Sequence, residues 1–349
     1  MNNEIMTDKM AKEAFYDEKI QESWKAHTKV FGKILEPAFT DNLKARVFLT
    51  VALNKICNQD IQGGLFKLKQ IGNACVTDAD KAAWYFCVGL AHEMAGNRGE
   101  MIALYQEAGK CGHDFYLPYL KVAKCAYEDG VYDLAKENYL FAIRSLKNLE
   151  TSVQTQGMLA SAYSNLASCL TMMHNFDQAQ EALKISRKMV TALRGRDSIE
   201  AILLAAKGNA EEAKMCVAAL KNNDPALYNQ CKEVVDAIID GKHPHFCPLK
   251  VEESKIAGFW TWFADNQKML EEKMENQAVA EVHDLIQSKL TEVFTFIKRN
   301  VEFGLEIVTD GYKVILADLY MVSLAKGFEA LLAECPKEVK ARWSFVLDH

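Results

Sequence analysis

The sequence predicts a mainly α chain: an α-solenoid of stacked helix hairpins, then a small α+β domain with a three-stranded antiparallel sheet. Three observations predict it. Small and apolar residues recur with a 34-residue period between residues 82 and 220. The pattern breaks at residues 241–250, GKHPHFCPLK, which hold two of the six prolines. Beyond the break, runs rich in β-branched and aromatic residues flank Asp310-Gly311, a strong hairpin signal.

Composition fits this reading. The chain has 349 residues, half of them hydrophobic and a quarter charged, and roughly 150 residues per domain gives about two domains. Only 18 Gly and 6 Pro occur, which argues against collagen and turn-rich all-β folds. The longest apolar runs are too short to predict a membrane span. Lys and Arg total 41 against 47 Asp and Glu, a net charge of −6. No basic cluster stands out, so no nucleic-acid partner is expected. From Lys250 onward there are 12 basic and 17 acidic side chains, so the acidic excess sits in the last hundred residues. The ten Cys include no CxxC pair, and the opening MNNEIMTDKMAKEAFYDEK lacks the apolar stretch of a secretory signal. Together these suggest reduced thiols and a cytoplasmic protein.

The elements follow in order. Residues 8–35 read as an amphipathic helix with Met10, Phe15, Ile20, Trp24 and Val30 near one stripe, so residues 1–42 are assigned to N-terminal capping helices. Residues 43–240 hold the hairpins. A degenerate one comes first, with Ala52, Gly64, Leu68 and Ile71 at suitable spacing. Segments 82–113 and 116–147 then align, with Gly89 and Ala123, Gly96 and Gly130, Tyr105 and Tyr139, and Ala108 and Ala142 each 34 apart. A second pair repeats the period through Ala167 and Ala201, Asn175 and Asn209, and Ala179 and Ala213. Between the pairs the register shifts by ten residues, which fall in the polar stretch KNLETSVQTQG. Turn signals (GNRGE, EDGVYD, HNFDQ, KGNAEE) divide each unit into two helix-length runs. Gly89, Ala123, Ala167 and Ala201 stand mid-run, where two helices must approach closely. One such hairpin cannot bury its apolar face alone, and stacking neighbours buries it. Residues 241–254 are the linker. In 255–349, helices are expected over 255–274, 277–294 and 320–334, strands on either side of Asp310-Gly311, and a last strand over 343–347.

The aromatic and small positions carry a resemblance. They are Tyr85, Val88, Gly89, Tyr105 and Ala108 in the first clear unit, and Tyr119, Val122, Ala123, Ala135, Tyr139 and Ala142 in the second. Tyr163, Leu166, Ala167, Ala179 and Leu183 mark the third. A 34-residue helix-turn-helix with these positions resembles the tetratricopeptide repeat (TPR) family, over roughly residues 43–240. The first unit departs from the family at Met101, where Ala is frequent, and at His113, where Pro is frequent. The fourth lacks the aromatics. The resemblance implies a right-handed solenoid whose concave groove is lined by the first helix of each hairpin and takes extended peptides. The residues it places there are Phe86, Leu90, Glu93, Lys124, Tyr127, Glu128, Ser164, Asn165 and Ser168. A groove that captures a C-terminal carboxylate needs clustered Lys, Arg and Asn, and only Lys124 and Asn165 stand there, so the carboxylate clamp of some co-chaperones is expected to be absent. The implied function is a non-catalytic scaffold or adaptor that binds a protein or peptide and needs no cofactor.

Other candidates weigh less. His243, His245 and Cys247 bring three potential metal ligands within five residues, but a structural zinc site takes four, usually in spaced pairs. No metal is therefore expected. Phe259-Trp260-Thr261-Trp262-Phe263 places four aromatics where one helix stripe cannot hold them all. Trp260 and Trp262 are thus expected either to dock between domains or to form an exposed partner-binding patch. Asp310 and Asp318 would do acid–base work only if they converged. No nucleophile, metallopeptidase or phosphate-loop motif occurs. The alternative function is an enzyme, or a sensor of a small ligand or signal peptide, with its site in the C-terminal domain or at the junction.

Overall fold

The computed structural model describes residues 13–14, 17–31, 34–112, 115–298 and 300–348. The protein is mainly helical, with a small three-stranded sheet at its C-terminus. Helices α1 (Glu18–Phe31), α2 (Leu43–Cys57), α3 (Ile61–Ile71), α4 (Asp78–Met94) and α5 (Arg98–Cys111) come first. They are followed by α6 (Tyr116–Glu128), α7 (Tyr132–Lys147), α8 (Val153–Met172) and α9 (Phe176–Met189). Next are α10 (Arg196–Ala206), α11 (Ala210–Asn223), α12 (Pro225–Ile239), α13 (Glu253–Glu275) and α14 (Val279–Val293). The chain ends with β1 (Phe303–Val308), β2 (Gly311–Ala317), α15 (Val322–Ala333), α16 (Lys337–Lys340) and β3 (Trp343–Asp348). Among the described residues no helix is long and apolar enough to cross a membrane.

One turn is built over and over. Gln59, Gly96, Gly130, His174 and Gly208 take left-handed φ values of 66°, 76°, 75°, 59° and 86°. In each case the next residue donates its N–H to a carbonyl five residues back: Asp60 to Lys55, Asn97 to His92, Val131 to Ala126, Asn175 to Leu170 and Asn209 to Leu204, all at 2.8–2.9 Å. This Schellman closure satisfies carbonyls that a helix end leaves without partners. From Gly96 to Gly208 these residues are spaced by 34, 44 and 34, the same register as the sequence period. Gln277 closes α13 in the same way. His174 holds this conformation although a side chain there costs about 1–2 kcal/mol. Its imidazole Nε2–H donates to the Tyr320 carbonyl at 2.8 Å.

The chain divides into two compact units. The first is Met1–Cys169 with Ala182–Leu193. Its core runs from Ile34, Leu35 and Phe39 through Leu49, Leu53, Phe86 and Tyr105 to Val122. Caps fix its helix starts: Asn42 accepts from the Ala45 N–H at 2.9 Å, and Thr77 with Asp80 forms a reciprocal capping box. In α1, Trp24 packs on this core and under the Arg46 guanidinium (4.9 Å), while Val30 is exposed and leaves the expected stripe. Met10 and Phe15 lie outside the described residues. The small mid-helix positions Gly89, Ala123 and Ala167 are buried, with the Tyr105 ring directly over Gly89.

The second unit is Leu170–Glu181 with Arg194–His349. Helices α10–α12 share an apolar cluster of Ala201, Ala213, Val217 and Val235. A separate core gathers Phe259, Trp260, Phe263, Ile286, Leu290, Val314, Leu316, Phe328 and Trp343 beneath one face of the sheet. Strand order is β1-β2-β3; β1 pairs antiparallel with β2, but β3 runs parallel to β2, with Tyr312 opposite Trp343. The sheet is therefore mixed, not antiparallel as the sequence predicts. The reason is the connection: α15 and α16 carry the chain back to the end of the sheet where β2 began, and such a helical crossover produces a parallel neighbour. Gly311 is required here, because a Cβ would lie 2.0 Å from the Arg342 carbonyl oxygen, the acceptor for the Tyr312 N–H.

All ten cysteines are free thiols; Cys87, Cys125, Cys169, Cys231 and Cys335 are buried.

Candidate functional site

An open cleft of about 590 Å³ lies in the first unit, between one face of α6 and one face of α8. Helix α6 starts with Pro118 in its first turn, where a missing N–H costs nothing. Its C-terminal end is pinned by Arg98, which donates to the Cys125 carbonyl at 2.8 Å and pairs with Glu128 (3.1 Å) and Asp129 (2.9 Å). A cation at that end also meets the negative pole of the helix. Leu117, Leu120, Lys121, Lys124, Tyr127 and Glu128 form the α6 wall. Met158, Ser161, Ala162 and Asn165 form the α8 wall, and Tyr139 of α7 contributes to the floor.

The charges sort into tightly and loosely held groups. Lys121 binds both oxygens of Glu93 at 2.7 and 2.9 Å, and the Tyr105 hydroxyl donates to the same carboxylate at 2.5 Å. Burial and this carboxylate push the Tyr105 phenol far above its usual range. Glu128 is engaged by Arg98. Lys124 is 73% exposed and makes a long i,i+4 ion pair with Glu128 at 3.8 Å. Among the described residues the Asn165 amide has no hydrogen-bond partner. The Tyr127 hydroxyl and Ser168 Oγ bond each other at 2.8 Å, and burial raises the Tyr127 pKa. The cleft thus offers an apolar floor, one exposed ammonium held only by a long ion pair to Glu128, and one carboxamide without a partner among the described residues. A smaller cavity of about 210 Å³ adjoins it, sharing Lys121, Lys124 and Glu128 and adding Glu93.

The predicted groove residues divide accordingly. Lys124, Tyr127, Glu128 and Asn165 line the larger cavity, and Glu93 the smaller. Leu90 is half-buried against the core of this unit, and Ser168 is half-buried and bonded to Tyr127. Phe86 and Ser164 are corrections: at 1% and 3% exposure they belong to the interior. Phe86 packs against Phe31 and Tyr105 at 5.4 Å each. A helix flanked on two sides buries more than one stripe, so a groove stripe drawn one residue off enters the core. Leu117, Leu120, Lys121, Met158 and Ser161 were missed. Their signal was present: they extend the Lys124–Glu128 and Asn165 stripes one or two turns toward each helix start.

The other candidates fall elsewhere. Trp260 is core, 3% exposed, and its indole N–H donates to the Leu331 carbonyl at 2.8 Å. Trp262 is half-buried against Phe259 and Phe263. The exposed-patch alternative is thus not formed by Trp260, because Trp260 and Phe263 pack on Phe345 of the sheet and Phe259 joins them in the core. His245 Nε2–H donates to the Met172 carbonyl at 2.6 Å, and its ring stacks on His174 at 5.4 Å. Burial lowers the His243 pKa, and Cys247 Sγ–H donates weakly to the Ile238 carbonyl. His113 lies outside the described residues. Among the described residues no group of three or more His, Cys, Asp or Glu is placed to hold a metal ion. Asp310 and Asp318 stand at opposite ends of β2, about 26 Å apart at 3.3 Å per residue. The Asp318 carboxylate accepts from the Tyr320 N–H at 2.9 Å. No family model matches this chain, and no curated protein matches it.

Proposed function

We propose that this is a non-catalytic binding protein of the tetratricopeptide-repeat kind, which holds an extended segment of a protein partner in the α6–α8 cleft. One observation carries the reading: an open, apolar-floored cleft leaves Lys124 exposed, in only a long ion pair with Glu128, and Asn165 without a partner among the described residues, while Lys121 and Arg98 are tightly paired. An extended peptide suits such a surface. Its apolar side chains fill the floor, and its backbone carbonyls or acidic side chains meet the Lys124 and Asn165 donors. The repeating turn geometry supports the repeat assignment, since five hairpins close in the same way.

The test is peptide selection. A random peptide library displayed on phage is enriched on the wild-type protein and on a Lys124→Glu/Asn165→Ala double variant. Both side chains lack short internal bonds, so the fold is expected to persist. Selected peptides should bind the wild type and lose at least about tenfold in affinity, about 1.4 kcal/mol, on the variant. Peptides that bind both equally would place the site elsewhere. No enrichment at all would sink the peptide-binding reading and direct attention to small ligands.

A further inference from the structure

We propose that the outer edge of β1 is a homodimer interface, on which β1 of a second copy pairs antiparallel about Leu305. The ladder shows which groups are available. The Ala317 N–H donates to the Glu302 carbonyl, so 302 and 317 form a hydrogen-bonded pair. Such pairs alternate in an antiparallel ladder, which assigns Gly304, Glu306 and Val308 to the bonds with β2. Phe303, Leu305 and Ile307 therefore direct three N–H and three C=O groups away from the sheet. Among the described residues none of these groups meets a partner. An edge of this kind is a template for another strand, and Lys, Pro or a bulge usually blocks it. None of those devices occurs in FGLEIV.

The side chains point to the same occupant. Phe303, Leu305 and Ile307 lie opposite Leu316, Val314 and Tyr312, on the face that covers the core. Yet Ile307 is 62% exposed, while Phe303 at the other end lies under the His283 ring, stacked at 4.2 Å. Antiparallel pairing centred on Leu305 sets Ile307 beside Phe303 of the second copy, where that copy's His283 stack covers it. The uncovered end of each strand meets the covered end of the other. On the opposite face, Glu306 falls beside Gly304 of the second copy, so no like charges meet, and Lys313 already neutralises it at 3.2 Å. The other edge, β3, has no such gap, because Trp260 and Phe263 pack on Phe345 at 5.0 and 5.3 Å. A pair of six-residue strands falls at the low end of interface sizes, below roughly 1,200 Å². The dimer is therefore concentration-dependent.

Sedimentation velocity on the full chain across a dilution series tests this. Wild type should shift from dimer to monomer on dilution. Leu305→Pro removes an outward N–H and no ladder bond; Ile307→Lys places a charge on the open end. Each should raise the dimer dissociation constant at least about tenfold, with circular dichroism unchanged. If Leu305→Pro fails to fold, Ile307→Lys decides the matter. A wild type that stays monomeric at its highest soluble concentration would overturn the proposal, as would dimers that persist unweakened in Ile307→Lys.

Discussion

Gly89→Ala sets two effects of opposite sign against each other. In a helix interior alanine is favoured over glycine by about 0.8–1.0 kcal/mol. At Gly89, however, the added Cβ would lie 2.9 Å from two carbons of the Tyr105 ring and 3.4 Å from Leu104 Cβ. The ring has nowhere to go: Tyr105 is fully buried, its hydroxyl is held by Glu93, and Phe86 packs behind it at 5.4 Å. Overpacking of this kind costs about 1–3 kcal/mol. Gly157, also inside a helix, has no heavy atom within 4 Å of where its Cβ would stand. Gly157→Ala should therefore stabilise by about 0.5–1 kcal/mol, and the gap between the two variants, about 1–3 kcal/mol, isolates the clash. Guanidinium unfolding followed by circular dichroism reads this as a midpoint lowered for Gly89→Ala and raised for Gly157→Ala. Equal or reversed midpoints would refute close approach of α4 and α5 at Gly89.

Two further outcomes follow from the same geometry. Burial lowers the pKa of His27 and His243 below their usual 6.5, so the fold favours their neutral forms. Their stabilisation is complete above pH 6.5 and is lost as pH falls through the lowered folded values, where the unfolded chain binds more protons. Unfolding midpoints between about pH 5 and 8 should show this slope, and His27→Gln/His243→Gln should flatten it. Gly311→Ala should cost about 1–3 kcal/mol through its collision with the Arg342 carbonyl. Hydrogen exchange at the β3 amides should accelerate more than exchange in α2–α7.

The helices were legible because their punctuation is local. Gly96, Gly130 and Gly208 mark left-handed turns that glycine favours, and they recur in the period of the chain. His174 could be found only through that period, since histidine by itself signals no turn. The element order of the C-terminal part was readable except for the short helix α16, but the direction of β3 was not: Trp343–Asp348 carries the same alternation whichever way it runs, and the crossover decides. In the cleft, Lys124 and Asn165 were readable as donors on plausible faces. That Lys121 is consumed by Glu93 was not, because the two lie on different helices 28 residues apart. Trp260 and Trp262 look alike in sequence, yet only the first reaches the Leu331 carbonyl.

The buried thiols give this chain a set of internal clocks. Cys87 lies in α4, Cys169 in α8, Cys231 in α12 and Cys335 just before α16. Burial pushes Cys169 up to about 12 and Cys231 and Cys335 up to about 11. Only the thiolate reacts with an alkylating reagent, so each site stays silent until its own segment opens. Labelling at each position therefore times the opening of that segment in the intact protein, with exposed Cys57 as the reference that reacts from the start.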